Sequence, residues 1–240
     1  MPLLGNAVVA IWNDILPAVR ADFIEWHNRE HIPERVAIPG FCRGRRYAAL
    51  YGAPEYFTLY EADDEKVLTG SDYLVRLNSP TPWTQKVTQA FRNTSRGVCR
   101  VGFSSGCGEG GYTLTLRFDA VPGRESELER HLIASALPRL CDLAGIVGIH
   151  LCLTNTSASG LRTSESKGRA VALPSWIALF EASQREAADE ACDCLLGADL
   201  AARGAHGAFE RGLYALEICR TKDADESVPF GTHRQDKPAG

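Results

Sequence analysis

Pro54-Glu55-Tyr56-Phe57-Thr58-Leu59-Tyr60-Glu61-Ala62 returns 120 positions later as Pro174-Ser175-Trp176-Ile177-Ala178-Leu179-Phe180-Glu181-Ala182. Each run is rich in aromatic and apolar residues and closes on Glu-Ala, which reads as one strand present twice. Upstream, Ile32-Pro33 and Pro39-Gly40-Phe41 fall onto Leu137-Pro138 and Ala144-Gly145-Ile146, 105 positions later. The second copy therefore carries a longer loop between these landmarks, and the polar stretch Ser157 to Arg169 supplies it. Downstream, Arg96-Gly97-Val98-Cys99 matches Arg211-Gly212-Leu213-Tyr214 in character, each reading as a closing strand.

Each copy reads β-α-β-β-α-β. In the first, Ala7 to Trp12 is a short strand, Asp22 to Val36 a helix, and Cys42 to Leu50 and Tyr56 to Glu61 two further strands. A helical region follows, broken at Pro80 and Pro82, and a last strand lies near Val98 to Phe103. The second copy runs from Tyr112 through Glu217, after the glycine-rich linker Gly106 to Gly111. The expected organisation is a first ferredoxin-like repeat over 1–108 that carries the site, a second, mainly structural repeat over 109–222, and an aperiodic tail over 223–240 expected to be mobile. The fold class is α+β. A β-α-β-β-α-β unit covers one face of an antiparallel sheet with helices and leaves the other bare, and the second copy can cover it.

Trp26-His27-Asn28-Arg29-Glu30-His31-Ile32-Pro33, followed by Ile38-Pro39-Gly40-Phe41, resembles the dimeric α/β-barrel superfamily, in particular its EthD-like members. The resemblance covers the first copy well and the second in outline. It implies that the two sheets join into a barrel, so that the chain is a fused dimer. It implies a fold more than a reaction, because that superfamily includes isomerases, cofactor-free oxygenases, dehydratases and haem-binding proteins.

Composition narrows the function. The chain is 45% hydrophobic and 23% charged, the balance of a globular protein. No apolar run approaches the roughly 20 residues that cross a bilayer, and Met1-Pro2-Leu3-Leu4-Gly5 lacks the regions of a secretory leader. A cytoplasmic protein with no membrane partner is expected. A net charge of −4 with scattered arginines excludes a broad electropositive face for nucleic acid. The expected partner is a small neutral or anionic molecule, with a homodimer of the fused barrel as a further expectation. The eight cysteines, several inside apolar runs, read as reduced, buried, structural thiols. No P-loop, dinucleotide fingerprint or Gly-x-Ser-x-Gly elbow is present.

At 3.6 residues per turn Phe23, Ile24, His27 and His31 share the core-facing side of the first helix. The 105-residue offset sets Leu132 opposite His27 and Ala136 opposite His31, so only the first copy fills these positions with imidazoles. Two readings stand: a pair of hydrogen-bonded core histidines, or a general acid/base pair in a cleft between helix and sheet. His27-Asn28-Arg29-Glu30-His31 also fits H-x-x-E-H, but Glu30 lies off the histidine face and Glu109, in the linker, is the only glutamate near the usual third-ligand distance. No metal site is expected, with haem or a metal on His27 or His31 as the alternative. Arg46 takes the place of Leu151 and should face the interior, as an anchor for an anion or in an ion pair with Glu30, Glu34 or Glu61. Arg43 and Arg45, of opposite parity, should be solvated. Trp12, Trp26, Tyr56 and Tyr60 line a pocket for an aromatic ligand or pack as half-buried aromatics. The expected function is a cofactor-free lyase, isomerase or dehydratase using histidine acid/base chemistry on a carbonyl-bearing or phenolic substrate, with Arg46 holding its anionic end. The alternatives are a non-catalytic ligand-binding or stress-associated barrel, and a haem- or metal-dependent oxidoreductase.

Overall fold

The computed structural model describes residues 1–160, 163–165 and 175–222; the tail from 223 on lies outside the described residues. The strands that the alternation predicts are β1 (Ala7–Ile15), β2 (Phe41–Tyr51), β3 (Tyr56–Ala62), β4 (Phe91–Gly106), β5 (Tyr112–Ala120), β6 (Ile146–Thr154), β7 (Trp176–Ala182) and β8 (Ala205–Thr221). They pair in the order β4-β1-β3-β2 in one half and β8-β5-β7-β6 in the other, every ladder antiparallel. β2 then pairs with β8 and β4 with β6, so the eight strands close into one barrel. Closure leaves no edge strand in either sheet, which removes the unpaired N–H and C=O rows that an isolated four-stranded sheet exposes.

A closed barrel has two kinds of interior. Outside the wall, helices cover the sheets: Val9, Ile32, Val36, Phe41 and Tyr60 pack in one layer, and Leu114, Leu132, Leu137, Phe180 and Leu195 in the equivalent layer of the second half. Inside the wall, Ala10, Trp12, Phe57, Leu59, Ile177 and Leu179 fill the lumen. Both parities of β2 are therefore buried from Arg43 to Tyr47, and this overturns the expectation for Arg43 and Arg45, which are 0% and 1% exposed. Arg43 grips Glu61 in a bidentate pair at 2.8 Å for each bond, and pairs also with Glu109. Arg45 reaches Glu61 at 2.9 Å with one terminal nitrogen and Glu181 at 2.7 Å with the other. Glu61 and Glu181 are the glutamates of the repeated Glu-Ala motif. Burial raises the Glu181 carboxyl, but the His150 hydrogen bond and the Arg45 charge outweigh it and hold it down at about 2. The N-terminal segment closes this end, with the Leu4 N–H donating to Glu61 at 2.7 Å and the Leu3 N–H to Ser104 at 2.8 Å.

The thiols also depart from expectation. All eight are free, but only Cys99, Cys152 and Cys192 are buried, while Cys107, Cys194 and Cys219 are exposed. The helical stretch after β3 is interrupted where Pro80 and Pro82 predict it: Ser71–Asn78 ends, and Pro82–Thr88 begins behind the Thr81 cap, whose hydroxyl accepts from the Thr84 N–H at 3.0 Å.

The first helix is not uniformly α. Arg20–Trp26 runs into a π-helical turn over His27–His31 before Ile32–Ala37 resumes, and the Ile32 N–H reaches back five residues to the His27 carbonyl. The second repeat does the same over Leu132–Ala136, with the Leu137 N–H on the Leu132 carbonyl. In both, a proline follows the wide turn by one residue: Pro33 and Pro138. A proline ring inside a helix collides with the carbonyl four residues back, and a wider turn moves that carbonyl away. The turn is thus a property of the duplicated backbone, on which the two repeats place different side chains.

Residues 1–108 expressed alone would expose the β2 and β4 edges and half of the lumen. They should appear by size-exclusion chromatography with light scattering as a homodimer or an aggregate, and a monodisperse monomer would overturn the single-barrel account.

Candidate active site

The π turn decides which side chains meet. In a five-residue turn positions i and i+5 come onto one face, so Trp26 joins His27 and His31 rather than lying beside them. The Trp26 ring packs on both imidazoles, at 5.3 Å from His27 and 4.2 Å from His31, and the two imidazoles stack at 5.4 Å between centroids. Phe23 closes the far side of His27 at 5.1 Å. The Trp26 indole N–H donates to Thr84 at 3.1 Å, and Thr84 and Thr81 hold Glu30. Glu30 is therefore turned toward the Pro82–Thr88 helix, away from the histidines.

His27 and His31 are 4% and 5% exposed and line a cavity of about 60 Å³ with Trp26, Tyr60, Tyr73, Arg35, Arg96 and Glu165. That is room for roughly four water molecules. His27 Nε2 lies 3.3 Å from the Tyr60 hydroxyl, and its Nδ1 has no hydrogen-bond partner among the described residues. Burial, reinforced by the positive charges of Arg46 and Arg35, holds the His27 imidazole well below its ordinary pKa, which leaves it neutral at pH 7. Burial drives the Tyr60 phenol far above its usual range, so it stays protonated. A neutral imidazole beside a phenolic O–H, in a cavity with two arginines, can accept a proton and steady the negative charge left behind.

Of the residues expected from the sequence, the cavity brings together His27, His31, Trp26 and Tyr60. It does not include the other three. Arg46 is buried, but it sits behind Phe23 at 5.6 Å and pairs with Glu217 at 2.8 Å, not with Glu30, Glu34 or Glu61. Trp12 faces the lumen, stacked on Phe57 at 4.8 Å beneath the Arg117 guanidinium. Tyr56 packs on Phe23 at 4.8 Å. The arginines that do reach the cavity are Arg35, which continues the four-residue steps from His27 and His31 along the helix, and Arg96, the arginine of the duplicated closing strand. Glu165 comes from the long loop of the second repeat, where nothing in the sequence marks it.

Haem does not fit at either histidine. No slot for a flat macrocycle opens beside them: the Trp26 ring lies against both imidazoles, and Tyr60 and Phe23 close off His27. Among the described residues no group of three or more His, Cys, Asp or Glu side chains could hold a metal ion, and no helix is long and apolar enough to cross a membrane.

No known sequence family matches the chain, and no curated protein does. Solved structures do. The chain is similar to an anthrone oxidase-like protein, at 14% identity over 90% of this chain and 92% of that one, with a TM-score of 0.58. It is similar to a candidate monooxygenase of Fusobacterium nucleatum subsp. nucleatum at 7% identity over 92% and 96%, TM-score 0.61. A candidate chlorite dismutase aligns at 9% identity over 90% and 96%, TM-score 0.54. At such identities the likeness is one of fold, the dimeric α/β barrel, here closed within a single chain.

The lowered pKa of His27 carries a sign. Unfolded histidine titrates near 6.5, so as pH falls below that value the unfolded chain takes up a proton that the folded one refuses. Stability is complete above about 6.5 and is lost as pH falls toward the lowered folded value. Thermal unfolding between pH 7.5 and 5.0 should show a steeper decline in the wild type than in His27→Leu. Parallel declines would mean that His27 is not held neutral.

Proposed function

We propose that this chain is a small-molecule enzyme in which His27 removes a proton from a carbonyl-bearing or phenolic substrate, giving an isomerisation, elimination or dehydration without a cofactor. The observation that carries the reading is the neutral His27 imidazole set against the Tyr60 hydroxyl at 3.3 Å, in a cavity with Arg35 and Arg96. The His27–Tyr60 contact is long for a hydrogen bond between such groups, and a substrate O–H or acidic C–H can take its place. The substrate proton passes to His27, the Tyr60 hydroxyl donates to the oxygen on which charge develops, and the arginines lower the cost of that charge. Trp26 and Tyr73 offer flat surfaces to a planar ring. His31, stacked on Trp26, positions the tryptophan and bounds the cavity.

Three further observations support the reading. Leu132 and Ala136 stand on the same π turn in the second repeat, so this backbone does not need imidazoles there. Trp26 to Pro33 and Ile38 to Phe41 resemble EthD-like members of the superfamily, and some solved structures similar to this chain bear enzyme names. The eight free thiols suit a reducing, cytoplasmic setting.

The test pairs activity with stability. In D₂O, exchange of the α-C–H protons of a panel of ketones and of the ring C–H protons of phenols, followed by NMR, should fall about 10²–10⁴-fold in His27→Leu and drop also in Tyr60→Phe. The melting temperature at pH 7.5 should stay level or rise, as when a site held for chemistry is relaxed. Leu132→Ala, the packing control, should cost about 2–5 kcal/mol of stability with exchange per folded molecule unchanged. A His27→Leu protein that loses stability and keeps full exchange would overturn the assignment.

A further inference from the structure

The cavity contains two cationic side chains and one carboxylate, and the carboxylate is foreign to the repeat that builds the rest. Arg35 is 2% exposed and its guanidinium pairs with Glu165. Its other acidic neighbour, Glu34, lies 3.5 Å from it and is engaged by Arg76 at 2.6 Å. Arg96 donates to the Tyr73 hydroxyl at 3.1 Å and makes no ion pair among the described residues. The Glu165 backbone N–H is held by the Leu77 carbonyl at 3.1 Å, and its neighbour Ser164 by the Asn78 side chain at 3.0 Å. Main-chain anchors thus present the Glu165 carboxylate to Arg35, at a height where its second oxygen is 3.9 Å from His31 Nε2.

Glu165 is also a wall. On one side it closes the histidine cavity, and on the other it lines a groove of about 420 Å³ with Asn78, Pro80, Gln85, Thr88 and Gln89. Glu165 lines both spaces, and without its carboxylate Arg35 would lack the partner it has in this cavity. A guanidinium matches a planar carboxylate through two parallel N–H···O bonds, and a buried guanidinium that has lost one carboxylate favours another.

We infer that Glu165 is an internal stand-in for a substrate carboxylate: the molecule that this site takes is an aromatic carboxylic acid, whose carboxylate displaces Glu165 on Arg35 and whose ring lies beside Trp26 and His27. This rests on the reading that the cavity takes a substrate, and it names the anionic end that Arg46, tied to Glu217, is not placed to hold. The pairing also sets an order of events, since the acid enters only as Glu165 leaves.

Benzoate and its neutral isostere benzamide separate the possibilities, with binding to the full chain followed by titration calorimetry and by quenching of tryptophan fluorescence. Glu165→Gln keeps the shape and removes the charge, and should tighten benzoate by about tenfold or more, while benzamide changes little. Arg35→Lys, which keeps a charge and loses the planar fork, should weaken benzoate and spare benzamide. Equal effects on the two ligands, or none on benzoate in Glu165→Gln, would overturn the stand-in role; with His27-dependent proton exchange intact, the acid/base reading would survive that result. Failure of both ligands to bind to any variant would overturn the aromatic-acid assignment, and loss of His27-dependent exchange as well would overturn the acid/base reading.

Discussion

Arg45 holds the molecule in register. It lies in the lumen between Glu61 of its own repeat and Glu181 of the other, within 2.9 Å of each, and those two carboxylates are the same position of the duplicated strand. Charges so deeply buried are expensive to desolvate, and removing one partner leaves the others uncompensated, at a cost of about 3–5 kcal/mol. The two sheets therefore cannot slide or part without stranding an ion. The rest follows from this lock: Arg43 doubles it on Glu61, the N-terminal residues cap it, and stacked aromatics occupy the remainder of the lumen. With the lumen filled by these side chains, the cavity that His27 and His31 line lies outside the wall, between sheet and helix.

On the first helix of each repeat, the difference lies in the side chains. Both have the proline, the π turn and the buried helix face; one packs Leu132 and Ala136 there, the other a stack of aromatic rings and imidazoles. The chemistry of His27 is a consequence of its surroundings. Burial and two nearby guanidiniums keep the ring neutral, and the Tyr60 hydroxyl beside it keeps its proton for the same reason of burial.

The barrel was legible in the sequence because a repeated Tyr/Phe-Glu-Ala strand and a shared Pro landmark survive whatever else changes around them. The helix break at Pro80 and Pro82 was legible because proline acts locally. Arg43 and Arg45 were not, since parity separates inside from outside only in a sheet with one wet face, and the wall at this stretch of β2 has none. Trp12, grouped with Trp26, Tyr56 and Tyr60 on residue type, points into the lumen, which residue type alone does not reveal. Trp26 depended on the π turn, which a fixed period of 3.6 does not anticipate. Arg35 was within reach, one more step of four beyond His31. Glu165 was not, because its approach to Arg35 is set by a loop of the other repeat and by hydrogen bonds to Leu77 and Asn78, which no local pattern encodes.

The joining of both repeats in one polypeptide has a further consequence. When a barrel is assembled from two identical chains, any residue that a loop lends to the neighbouring half is lent twice, and every alteration is felt at both places. Here the loop bearing Glu165 serves one cavity, and its counterpart in the first repeat is short. Covalent linkage releases the halves from copying each other, so that imidazoles stand on one π turn and aliphatic side chains on the other. In such a molecule a single substitution in a loop of one half alters one cavity wall of the other, an asymmetry that a symmetric assembly cannot reach.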